Sequence, residues 1–465
     1  MKRIDSATNR TNTRMAHLAM AGALAFSLAG APALAFADSV DDVAVFMDDV
    51  VSTSTASSSA SAASSTVMHG LYASADTVFA NGQDILTTAV NACGLYAEKG
   101  AAIIANELNV RTRGDNCASI ATSDQGGRIS IANSQVTTTG SDSPLLLSAG
   151  TVEADNVSGS ASASGIATVV DSGRLLIANS SLTSTFEGDE ASNPITSTLT
   201  NTISDEVSGC INLYRTDTTD ASTGQVDTAL FQARDASLTS NLESDAFFYL
   251  TNTSSSIVLS NADLNFDSEN VKLLVAAGSD QGWGTAGKNG ATVTFTAIDQ
   301  QLNGKIEVDS ISLLELFLLD ESTWEGSSSI VANAAGTDLA SNIIVNIASG
   351  STWVVTENST ITTLNIEKGG ALVDADGKAV TIVDADGNKL VDGASDVEVS
   401  VKGEFTTTVK TTDVNKLQNS TIDRTAFDEE YGTSTAFGTN GNGAVSDEEH
   451  AAELQAIIAE WFRSL

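Results

Sequence analysis

The sequence predicts an all-β protein: a right-handed, single-stranded parallel β-helix followed by a short C-terminal α-helix. The first observation behind this is a period. Gly70-Leu-Tyr-Ala73 recurs as Gly94-Leu-Tyr-Ala97, and Ala118-Ser-Ile-Ala121 follows after another 24 residues. A second landmark keeps step with it: Asn81, Asn106, Asn133, Asn156 and Asn179 are 25, 27, 23 and 23 apart, and Asp235 and Asn261 resume the pattern. The third observation is composition. Aromatic residues make up 5% of the chain and charged residues 17%, with many Ser, Thr, Ala, Asn and Gly. Such a chain cannot fill a thick globular core, but it suits small units that stack like side chains on like. Abundant Ser, Thr, Val and Asn in short segments disfavour a helical solenoid.

Taken in order, residues 1–37 have the layout of a secretory signal peptide. Lys2, Arg3, Arg10 and Arg14 precede a run of Ala, Leu and Phe, and Ala35-Phe36-Ala37 is a small-x-small cleavage site. Residues 38–67 are acidic, then rich in Ser and Ala, and read as a flexible linker. Residues 68–362 carry the repeats. Ile129-Ser-Ile-Ala-Asn-Ser-Gln-Val136 is one rung, with Ile and Val facing the core and Asn133 at a turn; Ile177-Ala-Asn-Ser180 repeats it. A unit of this length cannot close a core alone, whereas stacking at about 4.8 Å buries a continuous apolar column. Asn tolerates left-handed backbone, and its amide can bond the next Asn in the stack.

Residues 186–224 and 278–290 interrupt the period and predict longer loops. Residues 363–431 are expected to form final coils and a hairpin-rich cap, because Val373-Asp-Ala-Asp-Gly377 and Val383-Asp-Ala-Asp-Gly387 are turn signals between apolar residues. Residues 432–465 read as a Gly-rich linker and an amphipathic helix, with Ser446 and Glu449 as a capping box and Leu454, Ile457, Ile458 and Trp461 on one face.

The signal peptide, the Gly-Leu-Tyr-Ala and Ile-Ala-Asn-Ser repeats, and Gly350-Ser-Thr-Trp-Val-Val-Thr-Glu-Asn-Ser-Thr-Ile361 resemble bacterial adhesin-like parallel β-helix proteins. Those in turn are similar to autotransporter passenger domains of the pertactin type, from which this sequence departs in showing no translocator barrel. The resemblance covers roughly residues 70–430. It implies a secreted or cell-surface, non-catalytic protein whose partners are glycan or protein ligands on host or neighbouring cells. A polysaccharide-active β-helix enzyme and a purely structural surface protein are the alternatives.

A net charge of −37 opposes binding to nucleic acid or anionic membranes. After the leader, no run of about 18 apolar residues offers a membrane span. No catalytic residue, metal site or cofactor is expected. His69 abuts the linker and His450 lies on the terminal helix, so no Ser-His-Asp arrangement can be assembled. If they lie on strands, the two side chains of Asp205-Glu206 and of Asp320-Glu321 point to opposite faces. Gly282-Trp-Gly284-Thr-Ala-Gly287 has dinucleotide-motif spacing, but a strand-like run follows where that motif requires a helix. The loop is better read as a contact surface presenting an exposed Trp283, with Lys288 beside it. Asp384-x-Asp386-x-Asn388 begins like a calcium loop but lacks its later Gly and Glu. Cys93 and Cys117 are one period apart and are expected to stack, with Cys210 in the same column several coils on. Export permits a Cys93–Cys117 disulfide; a ladder of buried thiols is the other reading.

Overall fold

The computed structural model describes residues 68–123, 126–188, 195–196, 206–207, 209–216, 228–279 and 283–439. The leader, most of the linker and residues 440–465, including the helix expected there, lie outside the described residues. The repeats form a parallel β-helix, each coil crossing three faces. Face 1 is a ten-stranded parallel sheet running from Leu71–Ala73 to Ser328–Val331. Face 2 starts with Thr77–Asn81 and Ala102–Asn106 and continues through Arg174–Ala178, Ser254–Ser260, Leu313–Leu319 and Thr363–Ile366 to Phe405–Thr406. Face 3 begins with Asp84–Thr87 and Asn109–Thr112 and ends with Thr323–Gly326, Thr352–Val355 and Ala371–Val373. Two long strands, Arg128–Thr138 and Thr151–Ala161, bend across the corner between faces 2 and 3.

That corner explains the Ile-Ala-Asn-Ser repeat. Gly82, Glu107, Asn133, Asn156, Asn179, Asp235, Asn261, Asp299 and Asp320 all have φ between 47° and 63°. The chain therefore turns through one left-handed residue per coil, a geometry Gly, Asn and Asp tolerate best. The amides also form a ladder: Asn106 Nδ2 donates to Asn81 Oδ1 at 2.9 Å, Asn133 to Asn106 at 2.8 Å and Asn156 to Asn133 at 2.7 Å. The register is subtler than the spacing suggests. Asn81 and Asn106 sit one residue before the corner, and Gly82 and Glu107 take the left-handed position. Asn179 accordingly donates to Asp155 rather than to Asn156.

The Ser after the Asn has its own task. The corner interrupts the ladder, so the N–H that follows it needs another acceptor. Leu108 N–H donates to Ser134 Oγ at 2.9 Å, and Val157 N–H donates to Ser180 Oγ at 3.0 Å. In later coils Gln300 and Ser322 serve the same purpose, accepting from Ala262 N–H and Gln300 N–H. Asp320 and Glu321 both have positive φ, so this acidic pair lies at a corner and not on a strand.

Inside, side chains stack by coil. Ile129, Ile131 and Val136 are buried in the core, as are Leu314, Leu316 and Leu318 of the most apolar strand. Trp324 pairs with Trp353 in register; the rings stack 4.5 Å apart, and each Nε1 donates at 3.0 Å to a glycine carbonyl, Gly304 and Gly326 respectively. At the far end, the two Asp-Ala-Asp-Gly turns join antiparallel segments, Val373 bridging Ala379 and Thr381–Val383 pairing Lys389–Val391. Asp384 accepts the N–H groups of Asp386 and Asn388 and the Asn388 amide, so its oxygens close their own turn.

The chain does not stop at this cap. From Asp413 to a short helix α1 (Thr425–Tyr431) it runs back along the outside of face 2 toward the first coils, and residues 433–439 then return to the coils of Asp155 and Arg234. From sequence this stretch is expected within the cap and a Gly-rich linker. One outward column explains the path: Phe79, Ile104, Ser130, Glu153, Leu176, Gln232, Val258 and Thr296 are register partners in successive coils. The strap covers this column in reverse order, and so Glu153, Gln232 and Thr296 are buried.

Candidate functional site

A coil needs only a few residues to turn from face 1 to face 2. Residues 149–150, 252–253 and 310–312 suffice at three of these corners. Three others carry far longer connections, at 215–228, 277–291 and 332–342. They leave the same corner in alternate coils, separated by the short turns 252–253 and 310–312. Among the described residues, the second and third form a ridge of loops along one edge of the solenoid, and the interruption at 278–290 falls within the second.

The ridge is bracketed by Asn and Asp side chains. Buried Asp309 accepts Gly278 N–H at 2.9 Å and Asn333 Nδ2 at 2.8 Å through one oxygen, tying the middle loop to the last. Burial raises the Asp309 carboxyl above its ordinary range, against the pull of hydrogen bonds from Ser312, Asn333 and Gly278. Asn342 Nδ2 spans the short turn between them, donating to the carbonyls of Asp309, Ser310 and Ser312. Asn289 Nδ2 donates to Ser279 O and Trp283 O, while its own carbonyl accepts Asn252 N–H. Gly287 has φ of 80°, and a Cβ there would lie 2.1 Å from Ala335 O, so these two backbones pack directly on each other.

Trp283 is not the exposed ring expected from sequence. It is half-buried and stacks on Tyr214, with centroids 4.5 Å apart and planes within 2°. Both rings pack on an outer apolar patch of Ala246, Tyr249, Val275, Ala277 and Val331. The stack links the base of the first loop to the second. Lys288 lies on the same loop and is exposed. The two residues singled out from sequence therefore share one ridge, but Trp283 acts partly as its internal support.

The cysteines follow a different plan from the single column expected. Leu95 pairs with Ile120 and Tyr96 with Ala121, a 25-residue step, so Cys93 stacks over Ala118, and Cys117 falls one position short. Cys210 lies in the core beside Ile211 and Ile166. All three are buried free thiols, and Cys93 and Cys117 share an outer cluster with Ala118, Ala121, Tyr96 and Leu147. Cys117 Sγ donates to Gly114 O. Burial, with a contribution from Cys117, pushes the Cys93 thiol up to about 12, and burial takes Cys210 to about 11.

His69 belongs to the first coil. Its Nδ1 accepts Cys93 N–H at 3.1 Å, its ring stacks on Tyr96 at 4.3 Å, and burial lowers its basicity against the opposing charge of Glu98. Among the described residues, no group of three or more His, Cys, Asp or Glu is placed to hold a metal ion. Among them, too, no helix is long and apolar enough to cross a membrane. No family model matches the chain, and neither a curated protein nor a solved structure matches it.

Proposed function

We propose that this protein is an exported, adhesin-like binding scaffold displayed at or released from the cell surface, with the loop ridge as its ligand-contacting edge. One observation carries the reading: three long connections leave the same corner in alternate coils, and the second and third pack directly against each other. A solenoid gains nothing in core burial from extending that corner, since two or three residues close it elsewhere. Extended loops held on a rigid sheet are where binding residues concentrate. The ligand class that the sequence resemblance supports is glycan or protein on a host or neighbouring cell. The basic, signal-like leader and the acidic, polar composition support export.

The test is a binding screen of the full chain against glycan and extracellular-matrix arrays. It is paired with a variant in which residues 279–288 are replaced by a two-residue turn like 252–253. The expectation is saturable binding that the variant loses while keeping its β signal by circular dichroism. Undiminished binding by the variant refutes the ridge, and release of sugar fragments refutes a non-catalytic scaffold.

A further inference from the structure

The strap lies on face 2, and its contacts define a second binding surface. Gln232 recognises main chain: its Nε2 donates to Gln418 O at 3.1 Å, and its Oε1 accepts Gln418 N–H at 2.6 Å. Glu153 accepts Thr421 N–H and the Ser420 hydroxyl, both at 2.7 Å. Asn415 Nδ2 donates to Thr296 Oγ1 at 3.0 Å, and Gly438 N–H donates to Asp155. Between these polar contacts, Leu417 and Phe437 fill the patch of Leu176, Leu230 and Val258, and Phe427 packs on Phe79 and Ile104. Polar side chains reading backbone groups, alternating with apolar pockets, are how an extended peptide is recognised on a sheet face.

The strap belongs to this surface more than to the segment that delivers it. Residues 407–412 form no strand or helix and are mostly exposed. A bay of about 500 Å³ remains where Thr411, Asn415 and Leu417 meet Ile298 and Leu319. Six extended residues reach about 20 Å, enough for a segment to cross to a chain lying alongside. Any copy that supplies residues 413–439 can make the same contacts, so delivery from the same chain is favoured only by its higher effective concentration.

From these contacts we infer that the outer column of face 2 is a peptide-binding groove loaded in cis, and that its partner in trans is the 413–439 segment of a second copy. Reciprocal exchange then joins exported chains flank to flank.

The experiment uses the full chain with a protease recognition sequence inserted after Thr408. After cleavage, a fluorescent synthetic peptide of residues 411–439 is added and its uptake followed by anisotropy. The folded state is monitored by circular dichroism, and the mass of uncut chain at rising concentration by light scattering. Expected are one peptide taken up per chain, at least tenfold faster peptide loss from Gln232→Ala, and a concentration-dependent dimer of the uncut protein. A folded cut chain that takes up no peptide overturns the groove. Peptide uptake with an uncut chain that stays monomeric at every concentration overturns the second-copy partner.

Discussion

Replacing Arg424 by Met should free the far end of the strap. The guanidinium is buried and uses every side of its fork. Nε donates to Thr435 Oγ1 at 2.8 Å, Nη1 to Ser130 O at 2.8 Å and Ser130 Oγ at 3.0 Å, and Nη2 to Ala105 O at 2.8 Å. It therefore clips two successive rungs to the strap. Burial lowers its pKa to about 10, with Asp428, Glu153 and Asp155 opposing that shift. Methionine fills similar volume and lies against Phe427 as the guanidinium does, but it supplies no donor and no charge. Two rung carbonyls lose their strap partner, and three carboxylates lose their counter-charge. A hydrogen bond to a charged group contributes roughly 1.5–3 kcal/mol, so losing those to the two rung carbonyls costs about 3–6 kcal/mol. That exceeds the roughly 1.5–3 kcal/mol from burying the neighbouring Phe427 side chain. At 1.4 kcal/mol per decade, protection of the strap amides should fall by about 10²–10⁴-fold. Hydrogen exchange read by mass spectrometry on peptides spanning 413–439 measures this directly. Arg424→Lys keeps the charge but not the fork, and should recover less than half of the lost protection. Strap protection within threefold of the parent in Arg424→Met would show that the clip is not what holds the segment down.

Other outcomes follow from the corner, the thiols and the strap carboxylates. Glu107 holds a left-handed corner position, with φ of 55° and an exposed side chain; Glu107→Gly should stabilise by about 1 kcal/mol in urea unfolding, because the strained backbone is relieved and no buried contact is lost. Thiol titration should find no fast-reacting cysteine in the native chain and three in denaturant without reductant, since all three are free and buried. A fast native thiol, or fewer than three after unfolding, contradicts that. Strap protection should also vary with pH in two opposite ways. Burial raises the Glu153 pKa, against hydrogen bonds from Ser420 and Thr421. Its protonation therefore favours the docked strap as pH falls from 7 toward its unfolded value of about 4.3. For Asp428 burial pushes upward, but hydrogen bonds from Thr435 and Thr433 and the charge of Arg424 outweigh it and hold the carboxyl low. Its contribution is present above about pH 3.9 and is lost as pH falls through the lower folded value. Strap protection, corrected for the intrinsic pH dependence of amide exchange, should rise slightly on mild acidification and then fall below pH 4, and Glu153→Gln should abolish the first limb only.

The coil architecture was legible because its signals are local and repeated. Asn133 and Asn179 mark left-handed corners whichever ligand the protein binds, and Ile129, Ile131 and Val136 show which side is core. Register was less legible, since a corner can take its Gly or Asn one residue earlier. Asn106 precedes the corner where Asn133 occupies it, and a single-residue difference in coil length moved Cys117 out of line with Cys93. The strap escaped notice because its contacts join residues up to 319 apart in sequence. A signal was nevertheless present: Ile103-Ile104, Leu175-Leu176 and Ile257-Val258-Leu259 are apolar on both sides of their strands, which only a covered outer face explains. The ridge was half visible, as an interruption at 278–290. That it shares a corner with 215–228 and 332–342 depends on counting coils in three dimensions.

The central claim is parallel stacking in one defined register, and a cross-link tests it most directly. Asn109 and Gln135 are register partners on neighbouring rungs of face 3, while Thr137 pairs with Arg111 two residues further along. Register partners on adjacent strands lie within the Cα range a disulfide requires, and pairs offset by two residues do not. Asn109→Cys with Gln135→Cys should form an intramolecular disulfide under mild oxidation, located by peptide mass mapping, and Asn109→Cys with Thr137→Cys should not. Equal cross-linking of both pairs, or linkage of the offset pair alone, would contradict the stacked coil as described.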